Sequence, residues 1–181
     1  MVNVAADSGR WRPAAFLDRD GVLNVDHGYT HRPGDLELMP SAAAAVGLLN
    51  AAGYYVIVVT NQSGVARGFF PETAVQAFNA HLGDVLRQQG ARIDAFYYCP
   101  HHPDGTVKAL AIRCTCRKPM PGMLEQAAHD WPIDRGRSFL IGDKEDDMAA
   151  ARAFGIRGIK FDAAAGTLEE LVRRELAPTA R

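Results

Sequence analysis

The feature of this sequence that most constrains its fold is a regular alternation of short apolar runs and longer helical patterns. The run "YYVIVVT" (54–60) is apolar and β-branched at consecutive positions, which is typical of a strand covered on both faces. Similar runs are "AAFLD" (14–18) and "SFLIGD" (138–143). Because helical patterns separate these runs, the sequence predicts an α/β fold in which a parallel sheet carries helices on both faces.

Turn and capping residues mark the ends of the predicted elements. Ser41 is a candidate N-cap for a helix over 41–53, and Pro71 begins a second helix over 71–90, with a glycine at the end of each. The alternation continues with strands at 92–98 and 156–161 and with helical segments at 121–130, 145–155 and 167–176.

Length and charge limit the organisation and the partners of the chain. A chain of 181 residues has room for one α/β domain, which we place at 14–177 after a tail over 1–13. The net charge of -1 provides no field that would attract nucleic acid or an anionic membrane, so neither is an expected partner. The start lacks a signal-peptide pattern and the cysteine count is odd, which favours a reducing, cytoplasmic location.

Polar residues follow the strands of the predicted sheet, where ligands bind in such folds. The first strand ends in "DRDG", in which Asp18 and Asp20 are two apart and therefore point the same way. The second ends in "TNQSG", "CRKP" follows the third, and the fourth ends in "GDKEDD" with Asp143 and Asp147. Each stretch alone is also compatible with a solvated turn or a helix start.

The four strand ends together indicate phosphoryl-transfer chemistry. Two carboxylates 4 Å apart repel by about 4 kcal/mol at an effective dielectric constant near 20, and four of them crowd this edge. A hard cation such as Mg²⁺ would remove this repulsion and would bind phosphate oxygens. With Lys118 beside the metal and one carboxylate free to attack, the set suits transfer through an aspartyl-phosphate.

All three cysteines lie in "CPHHPDGTVKALAIRCTC" (99–116), beside two histidines. Cys99, Cys114 and Cys116 with one histidine form a Cys₃His set, which suits tetrahedral zinc. The alternative is three inert cysteines on a buried loop. A structural zinc would stabilise this irregular segment and would fix the position of Arg117, directly after the last cysteine.

The motifs "FLDRDG", "VVTNQSG", "CRKP" and "IGDKEDD" resemble the four ordered motifs of the haloacid dehalogenase (HAD) phosphatase superfamily over residues 14–161. The resemblance implies a Rossmann-like core. It also implies that Asp18 is the nucleophile and Asp20 the general acid and base, while Thr60 and Lys118 hold the phosphoryl group. Mg²⁺ would be bound by Asp18, Asp143 and the main-chain carbonyl of Asp20.

The Cys/His loop narrows the resemblance to one branch of that superfamily. A "DRDG" phosphatase with this loop is similar to the D-glycero-D-manno-heptose-1,7-bisphosphate 7-phosphatases and the related histidinol-phosphatases, which lack a large cap domain. The resemblance selects His101 over His102 as the fourth zinc ligand. It gives Asp147 the role of supporting the site or the lysine. The spacing between the motifs also leaves no room for a large cap.

The substrate loops favour the heptose phosphatases, which "VDHGYTHRP", "TNQSGVARG" and the long spacing from Cys99 to Cys114 resemble. Arg117 suits a second phosphate because its guanidinium can bind a phosphate with two hydrogen bonds. Arg67 is equally compatible with a substrate role and with a solvated loop. The substrate contacts that the resemblance implies are Asp26, His27, Gly28, Tyr29, Asn61, Gln62, Ser63, Arg117 and Lys144.

These observations predict a Mg²⁺-dependent, zinc-stabilised phosphatase that removes the 7-phosphate of the heptose bisphosphate, in the synthesis of lipopolysaccharide core precursors. We expect a monomer whose partner is a small phosphorylated sugar. Two alternatives stay open, namely hydrolysis of histidinol phosphate and a zinc-stabilised binding module without activity. Neither the fold nor the motifs exclude histidinol phosphate, whereas the complete catalytic set argues against an inactive module.

Overall fold

A computed structural model of the chain describes residues 11–177. Its centre is a five-stranded sheet in which every neighbouring pair is parallel and the strand order is β3-β2-β1-β4-β5. The strands are β1 (Ala14–Leu17), β2 (Tyr55–Asn61), β3 (Ala95–Cys99), β4 (Phe139–Gly142) and β5 (Arg157–Lys160). The helices are α1 (Ala42–Ala51), α2 (Glu72–Gln88), α3 (Gly122–Asp130), α4 (Glu145–Phe154) and α5 (Leu168–Leu176).

The sheet is buried on both faces, which explains why its strands are apolar at consecutive positions. In β1 the side chains of Ala15 and Leu17 join a core with α1, α2 and α5, whereas Ala14 and Phe16 join a second core with α3 and α4. The prediction of a parallel sheet between two layers of helices is confirmed.

Within residues 11–177 the structure also agrees with the expectation that there is no large cap domain. Between β1 and α1, residues 18–41 contain one short 3-10 turn, Pro33–Asp35, and two isolated bridges that involve Asn24. Between β2 and α2 there are only ten residues, 62–71, and they form turns. Neither connection could fold into a separate domain of its own, so the carboxyl edge of the sheet remains accessible from outside.

Two local expectations differ from the structure. Ser41 does precede α1, but its backbone is left-handed (φ 63°) and its side chain does not cap that helix. Its hydroxyl instead accepts a hydrogen bond from the Glu169 N–H in the first turn of α5, at 3.2 Å. The third strand begins at Ala95 rather than at residue 92, and the Asp94 carboxylate accepts the Val56 N–H at 2.8 Å just before it.

The first described residues are already attached to the domain. The Arg12 N–H donates to the Pro132 carbonyl at 3.0 Å, and the Tyr55 N–H donates to the Pro13 carbonyl at 2.9 Å. Residues 11–13, which we assigned to the tail, therefore extend the fold, and residues 1–10 of that tail lie outside the described residues. Across residues 11–177, none of the helices combines the length and the apolar character needed to cross a membrane.

Candidate active site

The candidate site lies where the strand order reverses. The chain runs from β1 outward through β2 to β3 and then returns to place β4 on the other side of β1. Open α/β sheets bind ligands at such a point, beyond the carboxyl ends of the strands. A crevice of about 310 Å³ opens there, lined by Asp18, Asp20, Asp26, Gly28, Tyr29, Thr60, Asn61, Gln62, Ser63, Arg117, Lys118, Lys144, Asp146 and Asp147.

Lys118 is buried between two carboxylates at the floor of this crevice. Its Nζ lies 2.9 Å from Asp18 Oδ1 and 2.5 Å from Asp147 Oδ1, and it donates to the Val59 carbonyl at 2.8 Å. Burial lowers the pKa of Lys118, but the charges of Asp18 and Asp147 outweigh it, and the net shift is upward. Lys118 therefore carries a fixed positive charge next to Asp18.

Asp18, Asp143 and Asp147 form a cluster that fits a divalent cation. Carboxylate oxygens of the three residues lie within 4.8 Å of one another. Asp143 Oδ1 is buried and makes no hydrogen bond within the described chain. Burial, with repulsion from Asp18 and Asp147, raises the pKa of Asp143 to about 6 although Lys144 opposes the shift. One ammonium cannot balance three carboxylates, and oxygen ligands of this kind are those that Mg²⁺ prefers.

Asp147 is positioned more for Lys118 than for a metal. A Cβ at Gly142 would meet the Asp147 side chain at 2.3 Å, so only glycine at the end of β4 lets α4 approach this closely. Asp147 Oδ2 also accepts the Lys144 N–H at 3.1 Å at the start of that helix. These contacts fit the supporting role that the resemblance implies for Asp147.

Asp20 is held by an arginine for which the sequence indicates no role. Arg19 has no exposed surface and donates to both carboxylate oxygens of Asp20, at 3.0–3.2 Å. Asn24 and Gln62 add further hydrogen bonds to the same carboxylate, each at 2.9 Å. The only local signal for Arg19 is its place between the two aspartates of "DRDG".

The residues after β2 organise the crevice in different ways. Gln62 Nε2 lies 2.9 Å from Thr60 Oγ1 and so connects Thr60 with Asp20. Asn61 lines the crevice, but its side-chain amide binds the main chain of Lys118. Asn61 Nδ2 donates to the Lys118 carbonyl and Asn61 Oδ1 accepts the Lys118 N–H, each at 3.0 Å. The side chain of Asn61 thus fixes the segment that carries Lys118, and Ser63 lines the crevice beside them.

The loop after β1 forms one wall of the crevice. Gly28 and Tyr29 both have left-handed backbones (φ 77° and 57°), and the Tyr29 ring contacts the Phe69 ring edge-on with 4.8 Å between centroids. Asp26 Oδ2 lies 3.5 Å from Lys144 Nζ on the opposite side. The mouth of the crevice is thus framed by an aromatic pair and an ion pair.

His27 is the one predicted substrate residue that the structure does not bring to the crevice. Its Nε2 lies 3.2 Å from a carboxylate oxygen of Glu37, and its side chain is 49% exposed on the outer side of the loop. Two crevice neighbours were missed, Asp146 on the wall and Phe69 against Tyr29. No sequence motif distinguishes Asp146 from the other acids of "GDKEDD".

The four predicted zinc ligands come together at the end of β3. The three sulfur atoms lie 3.1–3.5 Å apart, and His101 Nδ1 lies 3.3 Å from Cys116 and 3.6 Å from Cys99. A tetrahedral zinc site would separate its sulfur atoms by about 3.8 Å, whereas a disulfide requires about 2 Å. The hydrogen bond between the Cys99 and Cys116 thiols lowers the pKa of Cys116 to about 5 and raises the pKa of Cys99, so the pair shares one negative charge, on Cys116. The cluster fits zinc, and His102 points elsewhere.

Two arginines and His102 lie close together between the Cys/His loop and the crevice. Arg67 Nη2 is 3.3 Å from His102 Nε2, and the Arg117 guanidinium, which lines the crevice, contacts the His101 carbonyl at 3.5 Å. Burial lowers the pKa of His102, and the positive charges of Arg117 and Arg67 lower it further against the opposing charge of Asp104, which favours the neutral ring.

Comparison with known proteins agrees with this geometry. The HAD-hydrolase-like family matches residues 115–180. A D-glycero-beta-D-manno-heptose-1,7-bisphosphate 7-phosphatase of Rhodopseudomonas palustris is 53% identical over 83% of this chain and 84% of its own length. The chain belongs to this phosphatase family. The Escherichia coli K12 member is 44% identical over 80% of this chain and 75% of its own.

A solved structure of the same family has the same fold. The D,D-heptose 1,7-bisphosphate phosphatase of B. bronchiseptica, crystallised with magnesium and phosphate, superposes with a TM-score of 0.77 at 30% identity. The match covers 91% of this chain and 98% of that one. Membership of the HAD family and the Rossmann-like core, which were expected from the four motifs, are therefore confirmed.

Proposed function

We propose that this protein removes the 7-phosphate of D-glycero-D-manno-heptose 1,7-bisphosphate, and specifically of the β anomer that its relatives' names specify. The single observation that carries the proposal is the buried Asp18–Lys118–Asp147 triad beside Asp143 at the switch point of the sheet. The triad supports the proposal because a candidate nucleophile, a fixed cation and carboxylates that fit a metal lie together, in a chain that is 53% identical to a named heptose phosphatase.

The first half of the reaction uses Asp18 and Asp20. An Asp18 oxygen attacks the phosphorus, and the bond from phosphorus to the sugar oxygen breaks while Asp20 gives its proton to that oxygen. Lys118 and Thr60 hold the phosphoryl oxygens as charge shifts between them. Asp18, Asp143 and the main-chain carbonyl of Asp20 would hold Mg²⁺, which would supply neutralising charge for the phosphoryl oxygens.

The second half returns the enzyme to its starting state. Asp20, now ionised, takes a proton from a water molecule, and the resulting hydroxide attacks the phosphorus of the aspartyl-phosphate. The bond between phosphorus and Asp18 breaks and inorganic phosphate leaves. Gln62 stays bonded to Asp20 and Thr60, which keeps the base next to the phosphoryl site in both halves.

The second phosphate of the substrate would bind at Arg117, with Arg67 and His102 beside it. His102 Nδ1 accepts the Asp104 N–H at 3.1 Å, so the neutral ring carries its proton on Nε2 and directs it at the Arg67 guanidinium. The Nε2–H of His102 and the guanidinium of Arg67 are therefore two donors that face each other. They need an acceptor between them, and a phosphate oxygen would provide one. This arrangement favours a bisphosphate over histidinol phosphate, whose leaving group carries an amine and an imidazole.

The sugar would lie between the second phosphate and Asp18, along the wall formed by the loop after β1. Asp26 and Lys144 face each other there and offer an acceptor and a donor to hydroxyl groups. The left-handed backbone at Gly28 and Tyr29 turns the main chain toward the crevice. His27 lies outside this path, so we propose no substrate contact for its side chain.

The remaining parts of the proposal concern the second metal and the setting. Zinc at Cys99, His101, Cys114 and Cys116 would be structural, because four protein ligands leave no open position for chemistry. The product would be heptose 1-phosphate, a precursor of the lipopolysaccharide core. We place the enzyme in the cytoplasm as a monomer.

The deciding experiment measures Mg²⁺-dependent phosphate release and compares kcat/KM for both anomers of the bisphosphate with kcat/KM for histidinol phosphate. We expect a preference for the bisphosphate on the order of a hundredfold, or ~3 kcal/mol. A preference for histidinol phosphate would leave the aspartate chemistry in place and would refute the assignment of Arg117 and the loop after β1. Absence of turnover with every phosphate ester would refute the enzyme itself.

A further inference from the structure

Arg19 is the largest fully buried side chain of the described residues, and the proposed mechanism gives it no part. Its Nη1 donates to Asn79 Oδ1 at 3.0 Å, and its Nη2 donates to the Thr30 carbonyl at 2.7 Å. The guanidinium carbon also lies 4.4 Å from the centre of the Phe78 ring. Burying a guanidinium is costly unless its N–H groups have acceptors. Here they donate to Asp20, to Asn79 and to the Thr30 carbonyl.

The two carboxylate oxygens of Asp20 are bound unequally. Oδ1 accepts from Arg19 Nε, Arg19 Nη2 and Asn24 Nδ2, at 2.9–3.2 Å. Oδ2 accepts from Arg19 Nη2 at 3.0 Å and from Gln62, which also reaches Thr60. Oδ1 has three donors and Oδ2 has two, and because one of those two is Gln62, Oδ2 is the oxygen on the side of Thr60.

Asn79 fixes the position of Arg19 from the other side. It lies in the middle of α2, is 4% exposed, and its Oδ1 accepts from Arg19. Phe78, the preceding residue, provides the surface on which the guanidinium stacks. A polar side chain buried in a helix needs such a partner. Because Asn79 binds Arg19 and Arg19 binds Asp20, the position of α2 helps to determine the position of the Asp20 carboxylate.

We propose that Arg19, held by Asn79, is the positioning residue for proton transfer by Asp20. Its planar fork holds both oxygens, with two donors on Oδ1 and one on Oδ2, and so orients Oδ2 toward Gln62, which also bonds Thr60. Through the Thr30 carbonyl it also links Asp20 to the loop that would hold the leaving sugar. The inference rests on the proposed function, in which Asp20 protonates the leaving oxygen.

The test exploits leaving-group chemistry. Phenoxide is a poor leaving group and needs a proton on its oxygen, whereas 4-nitrophenoxide leaves readily without one. The value of kcat/KM reports the step in which that oxygen leaves. General acid catalysis contributes about 10²–10⁴-fold. We expect Arg19→Met to lower kcat/KM about 100-fold for phenyl phosphate and less than about fivefold for 4-nitrophenyl phosphate, because only the first depends on the acid.

Conservative variants separate geometry from charge. Arg19→Lys keeps the charge but lacks the fork, and we expect it to show the same selective loss as Arg19→Met. Asn79→Leu should show a smaller loss of the same kind, about tenfold, while Asn79→Asp, which keeps an acceptor of the same shape, should restore activity with phenyl phosphate. Gln76→Ala is the matched control, because Gln76 donates from the same helix to Tyr98, away from the crevice.

Each outcome decides the inference. Equal losses for the two aryl phosphates in Arg19→Met and in Asn79→Leu would overturn it, since a purely structural defect does not depend on the leaving group. If Arg19→Met does not fold by circular dichroism, the Asn79 pair alone carries the test. Asp20→Asn, measured in parallel, separates the two proposals. If Asp20→Asn lowers kcat/KM equally for the two aryl phosphates, the acid role of Asp20 is refuted. If Asp20→Asn lowers kcat/KM selectively for phenyl phosphate and the Arg19 variants do not, the positioning role alone is refuted.

Discussion

The two side-chain clusters of this protein that fit a metal ion are built in opposite ways. The carboxylate cluster sits on the ends of β1 and β4 and on the first turn of α4, where the sheet holds each side chain in place. In the thiol cluster, three of the four ligands lie in residues 100–121, a segment without helix or strand. A cation among the carboxylates completes a site that the sheet has already formed, whereas a cation among the thiols stabilises the loop itself.

The largest effect should come from Asp18, the proposed nucleophile. Asp18→Asn leaves the fold intact, because the sheet positions residue 18, but it removes the attacking oxygen. We expect kcat to fall by about 10⁴-fold or more, with a melting temperature within a few degrees of the unmodified protein. Phosphate release and thermal unfolding measure the two quantities. Asp84→Asn, which removes an exposed carboxylate on α2, should leave both unchanged. Retained activity in Asp18→Asn would refute the nucleophile assignment.

The thiol cluster should respond in the opposite way. Cys114→Ser should lower bound zinc and the melting temperature by about 10 °C, because the loop loses its cross-link. Activity should fall with it, since Arg117 and Lys118 follow directly after the loop. Removing Mg²⁺ alone should abolish activity and should lower the melting temperature by less than the loss of zinc does. Metal analysis and calorimetry distinguish the two, and a stable, active Cys114→Ser protein would contradict the contrast.

Arg117→Ala tests the connection between the two clusters. The variant should keep zinc and stability but lose the charge at the second phosphate site, which would raise KM for the bisphosphate about 30-fold. The KM for a monophosphate should change little. Arg113→Ala is the control, because that arginine is exposed on the same loop. Similar KM changes for both substrates would place Arg117 at the reacting phosphate instead.

The smallest predicted effect is the pH dependence of the carboxylate cluster. Burial raises the pKa of Asp143 to about 6, so below pH 6 a proton competes with Mg²⁺ for that carboxylate. The Mg²⁺ concentration for half-maximal activity should therefore rise as pH falls below 6, by up to about tenfold per pH unit, and should be constant above pH 7.

The neighbouring lysine provides a control for this pH dependence. Lys144 lies 4.0 Å from Asp143 and its charge lowers the pKa of that carboxyl. Lys144→Met should therefore move the transition to higher pH. Titrations of activity with Mg²⁺ between pH 5 and 8 measure the shift. A Mg²⁺ requirement that does not change over this range would show that Asp143 does not titrate as a metal ligand.

The sequence alone determined the features that depend on local pattern. Consecutive apolar residues in "YYVIVVT" indicate a strand buried on both faces, and parallel strands bring their carboxyl ends to one edge. The order of the strand-end motifs therefore predicted the crevice. The three cysteines predicted their cluster because few other arrangements explain them within eighteen residues.

Only the tertiary structure decided which partner each side chain takes. Ser41 precedes α1 but accepts a hydrogen bond from the first turn of α5. His27 faces Glu37 rather than the crevice. Arg19 is buried against Asn79 on α2, 60 residues away. A side chain of an exposed loop or a turn can point to several sides at similar energy. The packing of distant elements selects among them, and a single sequence carries no local signal for contacts of that range.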